Sequence, residues 1–220
     1  MRHVTLARPP AQVHRGIMYP SPVISHRRAD FGVHMVGITM ITACAALLLM
    51  RAPQPLWPTL VFIACSVASN LSSQAYHFAP WHDRRVLLRR IDHAAIYLSI
   101  CGTFTPLLVA AGTPRALLVL AASWACAALG IWLKLRAREV KSRWSTASYL
   151  GLGFLSLLAL PDVYRLSPDA VWWIVAGSAA YVIGTVFYTR KSLPFRYSIW
   201  HAWVVLGGLL MFVGVWQAVA

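Results

Sequence analysis

Seven apolar segments occupy nearly all of the chain after Gly32: residues 33–50, 56–76, 92–111, 116–133, 145–162, 170–188 and 199–219. Each approaches the ~20 residues a helix needs to cross a hydrocarbon core about 30 Å thick. A backbone in lipid must satisfy its own N–H and C=O groups, so only helices and closed barrels span a membrane. Barrel strands would read as segments of about ten residues with alternating polarity, and the sequence has none. It therefore predicts an all-α fold, a seven-transmembrane helix bundle, divided into a cytoplasmic tail (1–32) and a membrane domain (33–220). Composition agrees: 59% of residues are hydrophobic and 12% charged, where soluble domains carry roughly a quarter charged.

The net charge of +14 would suggest nucleic acid if the basic residues formed a stripe on a polar domain. Instead they fall in short clusters between the apolar runs, which excludes that partner. Lys and Arg are retained on the cytoplasmic side of a membrane. Clusters sit in the tail (Arg2, Arg8, Arg15, Arg27, Arg28), the second connection (Arg84, Arg85, Arg89, Arg90), the fourth (Lys134, Arg136, Arg138, Lys141, Arg143) and the sixth (Arg190, Lys191, Arg196). Of 20 Lys and Arg residues, only Arg51, Arg115 and Arg165 fall on the other side. The alternation predicts a multi-pass protein of the cell inner (plasma) membrane with the N-terminus inside and the C-terminus outside. Residues 1–32 lack the apolar stretch of a cleaved signal peptide, so the first helix is expected to act as its own insertion signal, with Met18 as an alternative start.

This orientation is opposite to that of G-protein-coupled receptors, and no Lys lies in the last segment to carry retinal. Internal repeats, paired broken helices and a mid-helix chain of charges are also missing, which argues against a secondary transporter. Cys44, Cys65, Cys101 and Cys126 are single residues in apolar runs and read as inert packing. Pro106 and Pro161 are expected to kink or end the third and fifth helices. Trp57, Trp144, Trp172, Trp173 and Trp200 lie near segment ends, as interfacial indoles do.

Ionisable groups at membrane depth mark functional sites by default. His34 opens the first segment, Ser73 and His77 close the second, Asp92 and His93 open the third, and His201 lies near the start of the seventh. In the N-in topology all of these fall at the cytoplasmic ends of their helices, so four helices converge on one layer. Imidazole and carboxylate suit a catalytic Zn²⁺ with an open position, where water becomes acidic enough to attack an acyl group. Ser73 and His77 are spaced i, i+4 and share a helix face. The competing reading is that these groups cap helix ends at a wet interface. His3, His14, His26 and His82 read as solvated, Asp83 and Glu139 as screened surface pairs, and Asp162 and Asp169 as flanking the fifth connection.

From about Arg28 to the end, the chain resembles the hemolysin III group of the progestin and adipoQ receptor family, which includes the adiponectin receptors. The resemblance is carried by A-D-F-G-V-H-M-V-G (29–37), S-S-Q-A-Y-H (72–77), I-D-H-A-A-I-Y-L-S-I-C-G-T-F-T-P (91–106), A-Y-V-I-G-T-V-F-Y (180–188) and I-W-H-A-W-V-V-L-G (199–207). It implies a zinc ion near the cytoplasmic side, with His77 and His201 as ligands and Ser73 and Asp92 around the water. The implied activity is hydrolysis of a lipid amide of the ceramide kind, so membrane lipids are the expected partners and a lipid the substrate. The chain departs from the family pattern where Tyr197 replaces the first His of H-x3-H, where Asp30 stands for the usual Asn, and where Arg27 stands for a frequent Glu. Three outcomes follow: Asp92 completes a two-His-one-carboxylate metal set (His77, His201, Asp92), Tyr197 ligates weakly or hydrogen-bonds the water, or the site is metal-free. With metal, Asp92 and Ser73 are the catalytic candidates. Without it, the chain is a receptor-like or structural membrane protein with a degenerate site. Cytolysis is the third reading, suggested by the family name.

Overall fold

The structure, a computed structural model, describes residues 19–51, 53–137 and 142–219. Expectations for the tail before Tyr19, Met18 included, and for Arg138, Glu139 and Lys141 lie outside the described residues, as do the side chains of Arg143 and Trp144. The described helices are α1 (Ile24–Arg51), α2 (Trp57–Phe78), α3 (Arg85–Ala111), α4 (Pro114–Arg136), α5 (Ser142–Leu157), α6 (Leu160–Leu166), α7 (Pro168–Thr189) and α8 (Arg196–Ala218), with a 3-10 turn at His82–Arg84.

The chain is an all-helical membrane bundle. α1, α3 with its preceding turn, α4, α7 and α8 are each long and apolar enough to cross a membrane, and α5 with α6 makes a sixth such unit, bent by 45°. The expected seventh, α2, has 22 residues, or about 33 Å at 1.5 Å per residue, but falls short in apolar composition. Ser66, Ser69, Asn70 and Ser73 account for this, because they line an internal cavity. α2 packs against both α3 and α1.

Local chemistry sets the helix ends. α3 stops at Gly112, whose φ of 62° closes the helix with an N–H bond to Leu108 O, a conformation glycine adopts without a Cβ penalty. Thr113 then caps α4 by accepting from Ala116 N–H at 3.1 Å, ahead of Pro114, so the connection needs only two residues. Pro161 falls in the first turn of α6, where its missing N–H is harmless. The break before it, at Leu158 and Ala159, is closed by i to i−3 bonds. Pro106 stays inside α3, which continues to Ala111.

α3 is the central helix and packs against α2, α4, α5, α6 and α8. α1 closes one side by packing on α2 and α8, while α7 and α8 form a tight pair. Fully buried Arg85 sits where the end of α2 meets the start of α3. Its guanidinium donates to Tyr76 O and, at 2.6 Å, to Ala79 O. These carbonyls belong to the last turn and C-cap of α2, where a helix leaves acceptors open. The clasp fixes the polar end of α2 beside that of α3. Gly102 of α3 lies so close to α2 that a Cβ there would stand 2.4 Å from the Cβ of Cys65.

α1 begins nine residues before the apolar segment at 33, so Arg27, Arg28 and Asp30 are helical. His26, read from sequence as a solvated tail residue, instead packs on Phe195 with ring centroids 4.2 Å apart. At the opposite end of the bundle from Arg85, Arg115 Nε donates to buried Asp162 Oδ2 at 2.6 Å. All four cysteines are free.

Candidate functional site

Three helices each bring two side chains spaced i, i+4, and therefore on one face: Asp30 and His34 on α1, Ser73 and His77 on α2, Tyr197 and His201 on α8. They meet around Asp30, which is 0% exposed. Asp30 Oδ1 accepts from His201 Nδ1 at 2.6 Å, and His77 Nδ1 stands 2.8 Å from Oδ2. The main-chain carbonyl of Asp30 accepts from His34 Nδ1 at 2.9 Å. One residue thus contacts three imidazoles from three helices. Ser73 Oγ lies 3.0 Å from His34 Nε2 and 3.5 Å from His201 Nε2. The rings crowd together, with centroids 4.2 Å apart for His34 and His201 and 4.7 Å apart for His77 and His201. One ligand atom from each of Asp30, His34 and His201 lies within 4.8 Å of the others, so this buried group could hold a metal ion.

Of the residues singled out from sequence, His77 and His201 flank Asp30, and Ser73 bridges toward His34 and His201. Asp92 lines the same cavity, but its Oδ2 accepts from His93 Nδ1 at 3.2 Å. The carboxylate in contact with the imidazoles is Asp30. Sequence reasoning placed Asp30 in the tail because the apolar run starts at 33, yet its four-residue spacing from His34 was the available signal. Tyr197 lines the cavity beside His77, with ring centroids 5.1 Å apart.

This cluster is one end of a cavity of ≈ 650 Å³. Away from it the walls are mostly apolar, with Ile41, Phe62, Ile63, Phe104, Met211 and Phe212 among them, interspersed with hydroxyl and amide groups such as Ser66, Ser69, Asn70 and Thr103. From Ser73 to Phe62 is 11 residues of α2, so the cavity runs about 16 Å along the bundle, close to one leaflet's share of a ~30 Å core. α5 and α7 meet only sparsely. Between them the lining includes Phe154 and Val182, which are 65% and 43% exposed. Gly153 beside them also lines the cavity and has nothing within 4 Å of where a Cβ would stand.

A profile of the family described as Haemolysin-III related matches residues 24–212. The chain belongs to this family. The hemolysin III relatives include the Hemolysin-3 homolog of Bacillus subtilis (strain 168), 31% identical over 198 residues, covering 86% of this chain and 92% of that protein. Hemolysin-3 of Bacillus cereus is 36% identical over 124 residues, covering 56% of this chain and 57% of that protein. The haemolysin-III match begins at the first residue of α1, so it takes in Asp30 along with the rest of the cluster.

Proposed function

We propose that this chain is a metal-dependent hydrolase that cleaves a lipid amide or ester at the cytoplasmic side of the cell inner membrane. The reading rests on one observation: a buried carboxylate–imidazole cluster ends a ≈ 650 Å³ cavity whose other walls are mostly apolar. The alternation of basic connections supports the orientation and the count of seven spans.

Zinc fits the residues present. The cluster buries a carboxylate among three imidazoles, and Asp30 Oδ2 has no aligned hydrogen-bond donor among the described residues. His201 Nδ1 and His34 Nδ1 bond to Asp30 oxygens, His77 Nδ1 stands 2.8 Å from Oδ2 out of alignment, and the single Ser73 proton can serve only one of the two Nε2 atoms beside it. Asp30, His34 and His201 would hold the ion, with His77 beside Asp30. Zinc in such a set supplies Lewis acidity and lowers the pKa of water.

The chain's own groups do the rest. The apolar walls take the acyl chain and exclude water, leaving the scissile carbonyl at the polar end. Ser73 orients water by hydrogen bonding. Asp92, outside the imidazole group and on the cavity wall, takes a proton from that water and returns it to the departing nitrogen or oxygen. The products are a fatty acid and an amine or alcohol.

The rival reading, a metal-free receptor-like or structural protein, draws on Tyr197 standing where the resemblance leads one to expect a ligand. Cytolysis, the activity in the relatives' names, gains nothing from a site enclosed within one chain. The test uses protein purified with zinc in the medium and returned to lipid discs holding a ceramide with a labelled acyl chain. Metal analysis should find zinc, and released fatty acid should fall on chelation and with Asp92→Asn. Zinc-free protein, or release unchanged by both treatments, would overturn the proposal.

A further inference from the structure

We propose that the pocket lined by Tyr19, Arg27, Arg28, Phe31 and Phe78 binds the phosphate of an anionic phospholipid of the cytoplasmic leaflet. It shares no lining residue with the large cavity and stands whether or not the chain is a hydrolase.

Position comes first. From Arg28 to Val33, where the apolar run of α1 opens, is five residues, about 7.5 Å at 1.5 Å per residue. A headgroup layer is about 5–8 Å thick on each side of the hydrocarbon core. Arg27 and Arg28 therefore leave the helix at the level of lipid phosphates. Anionic lipids face the cytoplasm, the side on which the basic connections put this end of the bundle.

The charge there is not balanced within the chain. Neither Arg27 nor Arg28 makes an ion pair with a carboxylate among the described residues. The first turn of α1 holds no acidic residue to offset the positive end of the helix. Asp30, the next carboxylate along α1, is turned inward to His77 and His201.

Arginines at the end of a membrane helix are commonly solvated by water alone, but here the chain builds a pocket around them. Arg27 Cζ lies 4.1 Å and Arg85 Cζ 5.2 Å from the centroid of the Tyr19 ring, which also meets His82 edge-on with centroids 4.8 Å apart. Arg85 is itself clasped by the carbonyls of Tyr76 and Ala79. The junction of α2 and α3 thus holds Tyr19, and Tyr19 holds Arg27. A cation–π contact of this kind leaves Arg27 most of its five N–H donors. Phe31, one turn nearer the core, meets Phe78 edge to face at 5.3 Å and completes the wall of a space of ≈ 260 Å³. Guanidinium forks match pairs of phosphate oxygens, and the two rings offer apolar contact to the carbons beyond the ester. A lipid phosphate uses both; a free phosphate uses only the first.

The test is native mass spectrometry of the full chain in detergent, titrated with dihexanoyl phosphatidylglycerol. Wild type should hold it more tightly than dihexanoyl phosphatidylcholine, whose phosphate already has a cation beside it; equal affinity overturns the proposal. Arg27→Ala with Arg28→Ala should weaken one bound molecule about 25-fold, or about 5-fold for each arginine. Arg28→Ala alone, at an exposed position, should show the single step of about 5-fold if the double variant does not accumulate; no loss in either overturns the site. Arg190→Ala with Lys191→Ala removes the same charge from exposed positions in the sixth connection and should change binding less than about twofold, since such charges are screened. A loss there equal to that at the pocket would mean attraction to a basic surface only, and the site falls. Glycerol 3-phosphate at the same concentration should leave the lipid in place. Displacement would assign the pocket to soluble phosphate esters and overturn the lipid reading.

Discussion

Gly102→Ala adds one methyl where α3 presses on α2. The new carbon would stand 2.4 Å from Cys65 Cβ and 3.0 Å from its Sγ, whereas carbon atoms pack favourably at about 3.5–4.0 Å. No rotamer change relieves this, because both Cβ positions are fixed by the backbone, so the helices must part by about 1 Å. Overpacking of this kind costs about 1–3 kcal/mol, and the helix propensity of Ala over Gly returns about 1 kcal/mol at most. With the upper figure for so severe an approach, a net loss of about 2 kcal/mol is expected, read as a lower midpoint in thermal unfolding of the detergent-solubilised protein. Cys65→Gly removes the carbon that the methyl meets, so the double variant should be more stable than the two separate losses predict. A midpoint unchanged or raised in Gly102→Ala, or no coupling with Cys65→Gly, would refute the close α2–α3 approach. The wedge also reaches function, since α2 carries Ser73 and His77 while α3 carries Asp92.

A reporter active only in the cytoplasm, fused after Ala220, should be silent, and activity there would overturn the N-in, C-out orientation. Tyr197→His should raise the zinc retained after purification, because the new imidazole would replace a ring already 5.1 Å from His77 and ligates zinc better than a phenol of pKa about 10. The gain should vanish when His77→Ala is added; no gain, or a gain that survives that change, would mean the ligand geometry is lost.

The spans were legible in sequence because lipid imposes one rule on every residue of a segment, and a hydropathy run records it directly. The same rule hid Asp30. Arg27, Arg28 and Asp30 read as polar tail, although α1 starts at Ile24 and turns Asp30 into the interior. His34, Ser73, His77 and His201 were legible as a convergent layer, since topology alone places helix ends together. Which carboxylate would join them was not legible, because Asp30 and Asp92 sit at similar depth and the choice depends on helix rotation. In the fold, α3 turns Asp92 to His93 while α1 turns Asp30 to His77 and His201. α2, counted among the seven spans from sequence, falls short of the others in apolar composition for a related reason: residues lining an internal cavity are polar without facing lipid. The bend between α5 and α6 was anticipated from Pro161, but the chain breaks just before it, at Leu158 and Ala159.

The gap between α5 and α7 changes what concentration means for this cavity. A chamber open toward acyl chains at that seam would exchange with a two-dimensional solution, so its occupancy would follow the mole fraction of a lipid in the leaflet and not the amount of lipid in the tube. Adding more membrane of the same composition leaves occupancy unchanged, whereas diluting one lipid with another, or with detergent, empties the chamber of it.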